Sequence, residues 1–156
     1  MKQLTFWAVA IALVLTMGGM GFAADTNTLS VSANVVGTCK FNVATSTLPF
    51  GALDPTSAAD ATASGSVTFW CTNGASFTVS DDDGLYETGV NANRMRHATD
   101  VTQFIPYGLT LSPTTGTGTG PSTPITLTID GLISNANYVN AMAGDYADTV
   151  VITVSP

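Results

Sequence analysis

The chain has 156 residues, 11 acids against 4 bases, a formal net charge of −7 and a pI near 4.1. So acidic a chain has no electrostatic footprint for a phosphate backbone, which excludes nucleic acid as a partner. Only 10% of the residues are charged, and Thr, Ser, Gly, Asn and Ala supply much of the rest, a composition suited to a β-rich extracellular protein with a polar, weakly charged surface.

Residues 1–23 read as a secretory signal peptide. Lys2 is the positive start, Leu4 to Met17 the apolar run, and Gly21 and Ala23 the small residues before the cut. The run is short for a span of ~20 residues, and the mature chain has no second one, so no transmembrane segment is expected there. About 130 residues then remain, enough for one domain with a single core. Cys39 and Cys71 are the only cysteines. An even count in an exported chain points to a disulfide, and no C-x-x-C spacing supports a metal instead.

The strand signals follow in chain order. In "NTLSVSANVVGTC" (27–39), Leu29, Val31, Ala33 and Val35 share one face and Ser30, Ser32 and Asn34 the other, the period of a half-buried strand. "CKFNVA" (39–44) is a short strand, and 47–65 is mostly loop, broken by Pro49, Gly51 and Pro55. "SVTFWCT" (66–72) and "ASFTVSD" (75–81) are strands joined by Asn73-Gly74, a hairpin signal. "RMRHA" (94–98) is a short edge strand, and "FIPYGLTLS" (104–112) a strand in which Pro106 indicates an edge or bulge. Residues 113–124 read as a flexible hairpin loop, and 125–131 as a strand with Ile125, Leu127 and Ile129 aligned. After a connection over 134–146, Val150, Ile152 and Val154 alternate in a closing strand that runs to Pro156. No helical period extends past two turns, so the fold class is all-β, an immunoglobulin-like sandwich. About six strands follow Cys39 where such a sandwich wants seven.

The search for chemistry excludes an enzyme. His97 is the sole histidine, without a G-x-S-x-G elbow, and reads as a solvated strand residue. Asp81, Asp82 and Asp83 suit a turn and N–H capping; their spacing is not that of an EF-hand calcium loop. "GTGTG" (116–120) lacks the lysine and helix of a phosphate cradle. The aromatics Phe69, Trp70, Phe77, Phe104 and Tyr107 lie in strands and read as core. No catalytic residue, metal or cofactor is expected.

The order strand–Cys39, "LPFGALDP", "SGSVTFWCTNG", an Arg-Met pair, "YGLTL", and finally "GDYADTVVITVSP" resembles the spore coat protein U domain family, which includes subunits of archaic (Csu-type) chaperone–usher pili. Most specific are Gly144-Asp145-Tyr146-x-Asp148-Thr149 and Phe50-Gly51; the family's mid-chain segment commonly carries two tyrosines, where "FIPYGLTL" has one. The resemblance implies an incomplete immunoglobulin-like sandwich (39–156) and an N-terminal donor strand (24–38) that completes a neighbouring subunit. Leu29, Val31, Ala33 and Val35 would enter the groove beside that neighbour's Val150, Ile152 and Val154, with Gly37-Thr38 as the pivot. The partners implied are further copies in a head-to-tail filament, a periplasmic chaperone and an outer-membrane usher. The place is a cell-surface pilus serving adhesion and biofilm formation. The competing reading is a non-polymerising secreted coat or carbohydrate-binding β-sandwich. From the residues alone, the first strand pairs equally well inside its own subunit, because period two does not say which chain supplies the partner.

Overall fold

The computed structural model describes residues 23–156, so the expected signal peptide lies, but for Ala23, outside the described residues. The chain divides into two units, Met1–Asn34 and Val35–Pro156. In the first, residues 23–34 carry no helix or strand, and Leu29 and Val31 are 81% and 83% exposed.

The second unit is almost wholly β. Its elements are β1 (Cys39–Phe41), β2 (Ala61–Cys71), β3 (Ser76–Asp81), β4 (Arg94–His97), β5 (Phe104–Pro106), β6 (Gly108–Ser112), β7 (Thr115–Thr117), β8 (Ile125–Ile133), the single turn α1 (Asn135–Tyr138), β9 (Tyr146–Ala147) and β10 (Ile152–Ser155). Three antiparallel sheets result, in the orders β1-β2-β8-β6, β10-β3-β7 and β5-β4-β9. The first two face each other. Alternation sends Val67, Phe69 and Cys71 of β2 and Leu127 and Ile129 of β8 inward, to meet Phe77 and Val79 of β3. The Phe69 and Phe77 rings meet edge to face at 5.0 Å. Cys39 lies opposite Cys71 in the β1–β2 ladder, and the two form the expected disulfide. Ile125, Leu127 and Ile129 share the inward face as the sequence predicts, Leu127 fully buried.

Several expectations are corrected. Asn73-Gly74 does form a turn, with Gly74 at φ +81° and the Ala75 N–H donating to Thr72 O at 2.9 Å. It is not a hairpin: β2 pairs with β1 and β8, and β3 with β10 and β7. Both strands carry their apolar face up to the turn, and burying those faces against each other across the sandwich prevails over pairing edge to edge. "GTGTG" is not all loop, since β7 pairs with β3. Its glycines let it lie close: a Cβ on Gly116 would sit 2.7 Å from the Phe77 ring, and one on Gly118 would overlap Thr72 O. β4 is central in its sheet rather than an edge strand. β2 begins at Ala61, inside the stretch expected to be loop.

The break near Pro106 is found, and it changes sheets. β5 pairs with β4, and after Tyr107 the chain continues as β6 against β8. Pro106 has no N–H to give, while the Tyr107 N–H donates to Asn93 O at 3.0 Å. This switch places Ile105, Tyr107 and Leu109 along the wall of the groove described next.

Candidate functional site

Among the described residues, the closing strand β10 has a strand partner on one side only, β3. The Val79 N–H donates toward β7, to Thr114 O at 2.7 Å. Backbone groups alternate sides along an antiparallel strand, so Thr78 and Ser80 face β10 and bond Ser155 and Thr153. The N–H and C=O groups of Ile152 and Val154 therefore point to the open side. Their side chains are only partly buried although they pack against the core. This is an unfinished edge, with backbone donors and acceptors free beside apolar side chains.

Beside it lies an open groove of about 870 Å³. One side is the inner face of the first sheet with Leu109, Ile129 and the Ile105–Tyr107 stretch; the other runs from Tyr146 to Ile152 and includes Val150. Leu48 and Phe50, from the loop after β1, also line it. They reach the sheet because β2 and β8 offer glycines there. A Cβ on Gly131 would sit 2.6 Å from the Phe50 ring tip and 3.0 Å from Leu48, and one on Gly65 would touch Leu48 at 3.4 Å. The Phe50 ring meets that of Tyr107 at 6.1 Å, tilted 63°.

Carboxylates fix the far wall. Asp148 Oδ2 accepts from the Tyr107 hydroxyl at 2.7 Å, and Oδ1 from the N–H groups of Leu85 at 3.0 Å and Thr149 at 2.8 Å. Asp82 Oδ1 accepts from the N–H groups of Val151 at 2.9 Å and Gly84 at 3.1 Å. The acidic turn therefore tethers the approach to β10, and its carboxylates serve as N–H acceptors as the sequence predicts. Burial, and then the Asp148 hydrogen bond, push the Tyr107 phenol well above its ordinary pKa.

His97 is not solvated; it is 4% exposed. Its Nδ1 accepts from the N–H groups of Thr99 at 3.2 Å and Asp100 at 2.9 Å, which leaves Nε2 to donate to Ala143 O at 3.3 Å. Gly144 passes directly over the imidazole, where any Cβ would overlap it, and the Tyr146 ring meets it edge to face at 4.9 Å. The alternation Arg94-Met95-Arg96-His97 puts His97 on the inner face; its two arginine neighbours in sequence suggest a solvated run only until that alternation is applied.

Of the residues the sequence singles out, Val150 and Ile152 line the groove, Val150 ahead of β10 rather than within it, and Ile152 and Val154 pack against the sandwich core. Leu29, Val31, Ala33 and Val35 are exposed. The pivot expectation changes. Gly37 lies outside the left-handed region, and a Cβ there would make only ordinary contacts with Ala75 and Pro156 at 3.5 Å. Thr72 holds this stretch, donating from Oγ1 to Val36 O at 3.3 Å and exchanging backbone and hydroxyl bonds with Thr38. The sequence reading passes over Leu48, and it takes Phe50 and Asp148 as motif positions, Tyr107 as core and Asp82 as a capping acid, none of them as part of the groove. Among the described residues no group of His, Cys, Asp or Glu is placed to hold a metal, and no helix is long and apolar enough to cross a membrane.

Fold and site thus define a class: an all-β sandwich with a disulfide-linked first strand and one edge left open beside an apolar groove. The Spore Coat Protein U domain model matches residues 25–153, and the chain belongs to that family. No curated protein matches. Among solved structures, the chain is similar to one in the CsuC–CsuE chaperone–tip adhesion subunit pre-assembly complex from archaic chaperone–usher Csu pili of Acinetobacter baumannii, with 21% identity and a TM-score of 0.48, covering 77% of this chain and 40% of that one. It is also similar to a chain in a chaperone–tip adhesin complex of CFA/I fimbriae biogenesis, with 18% identity and a TM-score of 0.46, covering 72% of this chain and 39% of that one.

Proposed function

We propose that this chain is a structural subunit of a chaperone–usher pilus and that it polymerises by donor-strand exchange. Residues 24–38 of one copy fill the groove of the next, beside Val150, Ile152 and Val154. The observation that carries this is the open side of β10, where the unpaired backbone groups of Ile152 and Val154 adjoin an apolar groove of about 870 Å³. An added strand satisfies both needs at once, pairing the backbone and filling the groove with alternate side chains. Leu29, Val31 and Val35 contribute about 5–9 kcal/mol gross at ~1.5–3 kcal/mol each, before ordering costs. A contact of this kind repeats head to tail without closing, so the product is a filament. Until the next arm arrives, a periplasmic chaperone covers the open edge and an outer-membrane usher exports the subunit to a surface pilus that supports adhesion and biofilm formation. The role is structural, not catalytic.

The test compares two adjacent substitutions. Val31→Asp buries an unpaired charge in the groove and abolishes filaments seen by electron microscopy, while the body still co-purifies with its chaperone. Ser32→Asp, on the opposite face of the strand, leaves filaments in place. If the two behave alike, or if Val31→Asp unfolds a monomer that never polymerised, the arm belongs to its own subunit and the reading fails.

A further inference from the structure

The groove also gathers the chain's oxidisable sulfur. Of the five methionines in the sequence, Met1, Met17 and Met20 fall in the expected signal peptide, which leaves Met95 and Met142. Cys39 and Cys71, the only cysteines, are joined in the bridge. The thioethers of Met95 and Met142 are therefore the only unbridged sulfur beyond residue 23, and both residues line the groove beside β10.

The two are placed differently. Met95 is partly buried, packed on the cluster of Ile105, Tyr107, Ile133 and Tyr138. Met142 is 49% exposed, and of the leucine, isoleucine, valine, methionine and aromatic side chains that line the groove it alone is exposed. Its backbone is held on both sides. Before it, the Ala141 N–H donates to Tyr138 O at 3.0 Å. Met142 O accepts from the Tyr146 hydroxyl at 3.0 Å, and Ala143 O from His97 Nε2 at 3.3 Å. A fixed backbone thus presents this thioether to the groove and to water together. Leucine or valine there would be chemically inert; a thioether is apolar and adaptable while reduced, and becomes a polar sulfoxide when oxidised.

We propose that Met142 is an oxidation site through which a peroxide controls strand addition at the groove. The sulfur attacks the peroxide, an S–O bond forms and the O–O bond breaks. Sulfur gives up two electrons, and the departing oxygen leaves as water, taking up the proton of the transferred hydroxyl. The sulfoxide oxygen accepts hydrogen bonds from water, and covering it with an apolar strand strips them away. Reduced Met142 admits the arm and the sulfoxide opposes it. Once in place, the strand covers the sulfur, so assembled subunits resist the same oxidant. Methionine sulfoxide reductase reverses the change. This inference rests on the donor-strand reading and adds a chemical control to it.

The test treats the mature full-length chain with hydrogen peroxide, both unassembled and in filaments. Cleavage after Arg94 and Arg96 puts Met95 and Met142 on separate peptides, so mass spectrometry reads each sulfur by itself. In the unassembled chain Met142 gains oxygen first and Met95 lags; in filaments the gain at Met142 is slowed. The protein concentration at which filaments first appear rises about fivefold or more after oxidation, the lower bound for burying a polar group without a partner. Met142→Leu keeps the apolar bulk without the sulfur, assembles like the parent and goes on assembling after peroxide. Four results overturn the inference: Met95 oxidising as fast as Met142, equal oxidation of Met142 in filaments, oxidised chain assembling at the parent's concentration, or Met142→Leu losing assembly to peroxide as the parent does. Each of them leaves filament formation itself standing. Failure of the donor-strand reading shows instead as Val31→Asp and Ser32→Asp behaving alike, and takes this inference with it.

Discussion

The groove wall rests on Asp148, and replacing it by alanine tests that. Three hydrogen bonds go: from the Tyr107 hydroxyl at 2.7 Å, the Leu85 N–H at 3.0 Å and the Thr149 N–H at 2.8 Å. They are not equal. Leu85 and Thr149 are exposed, so water replaces the carboxylate at their N–H groups at little cost. Tyr107 is buried, and its hydroxyl loses a charged acceptor, worth about 1.5–3 kcal/mol. Asp148→Ala therefore costs about 2–4 kcal/mol in all, a fall in melting temperature of roughly 6–16 °C for a domain of this size. Tyr107→Phe removes the same bond but leaves the carboxylate its two N–H donors, and costs about 1–2 kcal/mol. In the double mutant the costs fall short of additivity by about 1–2 kcal/mol, because one bond has been counted twice. Thermal and urea unfolding of the four proteins measures this. If Asp148→Ala melts with the parent, or the coupling is below ~0.5 kcal/mol, Asp148 does not hold the wall and the account of the site is mistaken.

Gly84 sits at φ +88° against the Asp148 carboxylate, whereas Gly51 sits at φ +73° with open space around a Cβ. Gly51→Ala thus loses only the ~1–2 kcal/mol of left-handed strain, while Gly84→Ala loses that and displaces Asp148; equal melting temperatures refute the contact. Gly131→Ala drives a Cβ to 2.6 Å from the Phe50 ring tip and turns that ring into the groove, so assembly, read as the fraction of protein in filaments, drops more than the melting temperature does. Reducing the Cys39–Cys71 bridge, 32 positions apart in sequence, lowers stability by about 3–4 kcal/mol in urea titrations with and without reductant. Because the Tyr107 phenol is held above its ordinary pKa, the folded chain keeps a proton that the unfolded chain releases from about pH 10 upward. Its contribution is complete below that pH and declines above it, so the alkaline loss of stability is shallower in Tyr107→Phe; identical slopes refute the assignment.

What the sequence shows and what it hides divide along a physical line. Alternation is local, and it identifies β2, β3, β8 and β10 with their inward faces: Phe69, Phe77, Leu127 and Ile152 all lie where period two puts them. Pairing is not local. Asn73-Gly74 marks a turn, but only the competition among strands distant in sequence decides that β2 and β3 part company there. The same limit hides much of the groove. Leu48 and Phe50 sit in an aperiodic loop rich in breakers, and their place is set by Gly65 and Gly131 on two other strands.

Gly144-Asp145-Tyr146-x-Asp148-Thr149 shows the limit most sharply. As a string it is the most specific part of the resemblance, yet little in it looks like a strand or a site. Folded, Gly144 makes room for the His97 ring, Tyr146 covers that ring, and Asp148 takes the hydroxyl of Tyr107 and the N–H of Leu85. These partners lie some 40 to 60 positions earlier in the chain, so no window along the sequence brings them together. Their shared effect is to carry the chain along the groove and deliver it to β10, whose first two inward residues, Ile152 and Val154, have β3 on one side and open backbone on the other. Alternation in β10 asks for a second neighbour, and alternation from Leu29 to Val35 offers a strand of the same period. That match motivates the donor-strand reading, and because a period carries no chain identity, only the contrast between Val31→Asp and Ser32→Asp in assembled material can decide it.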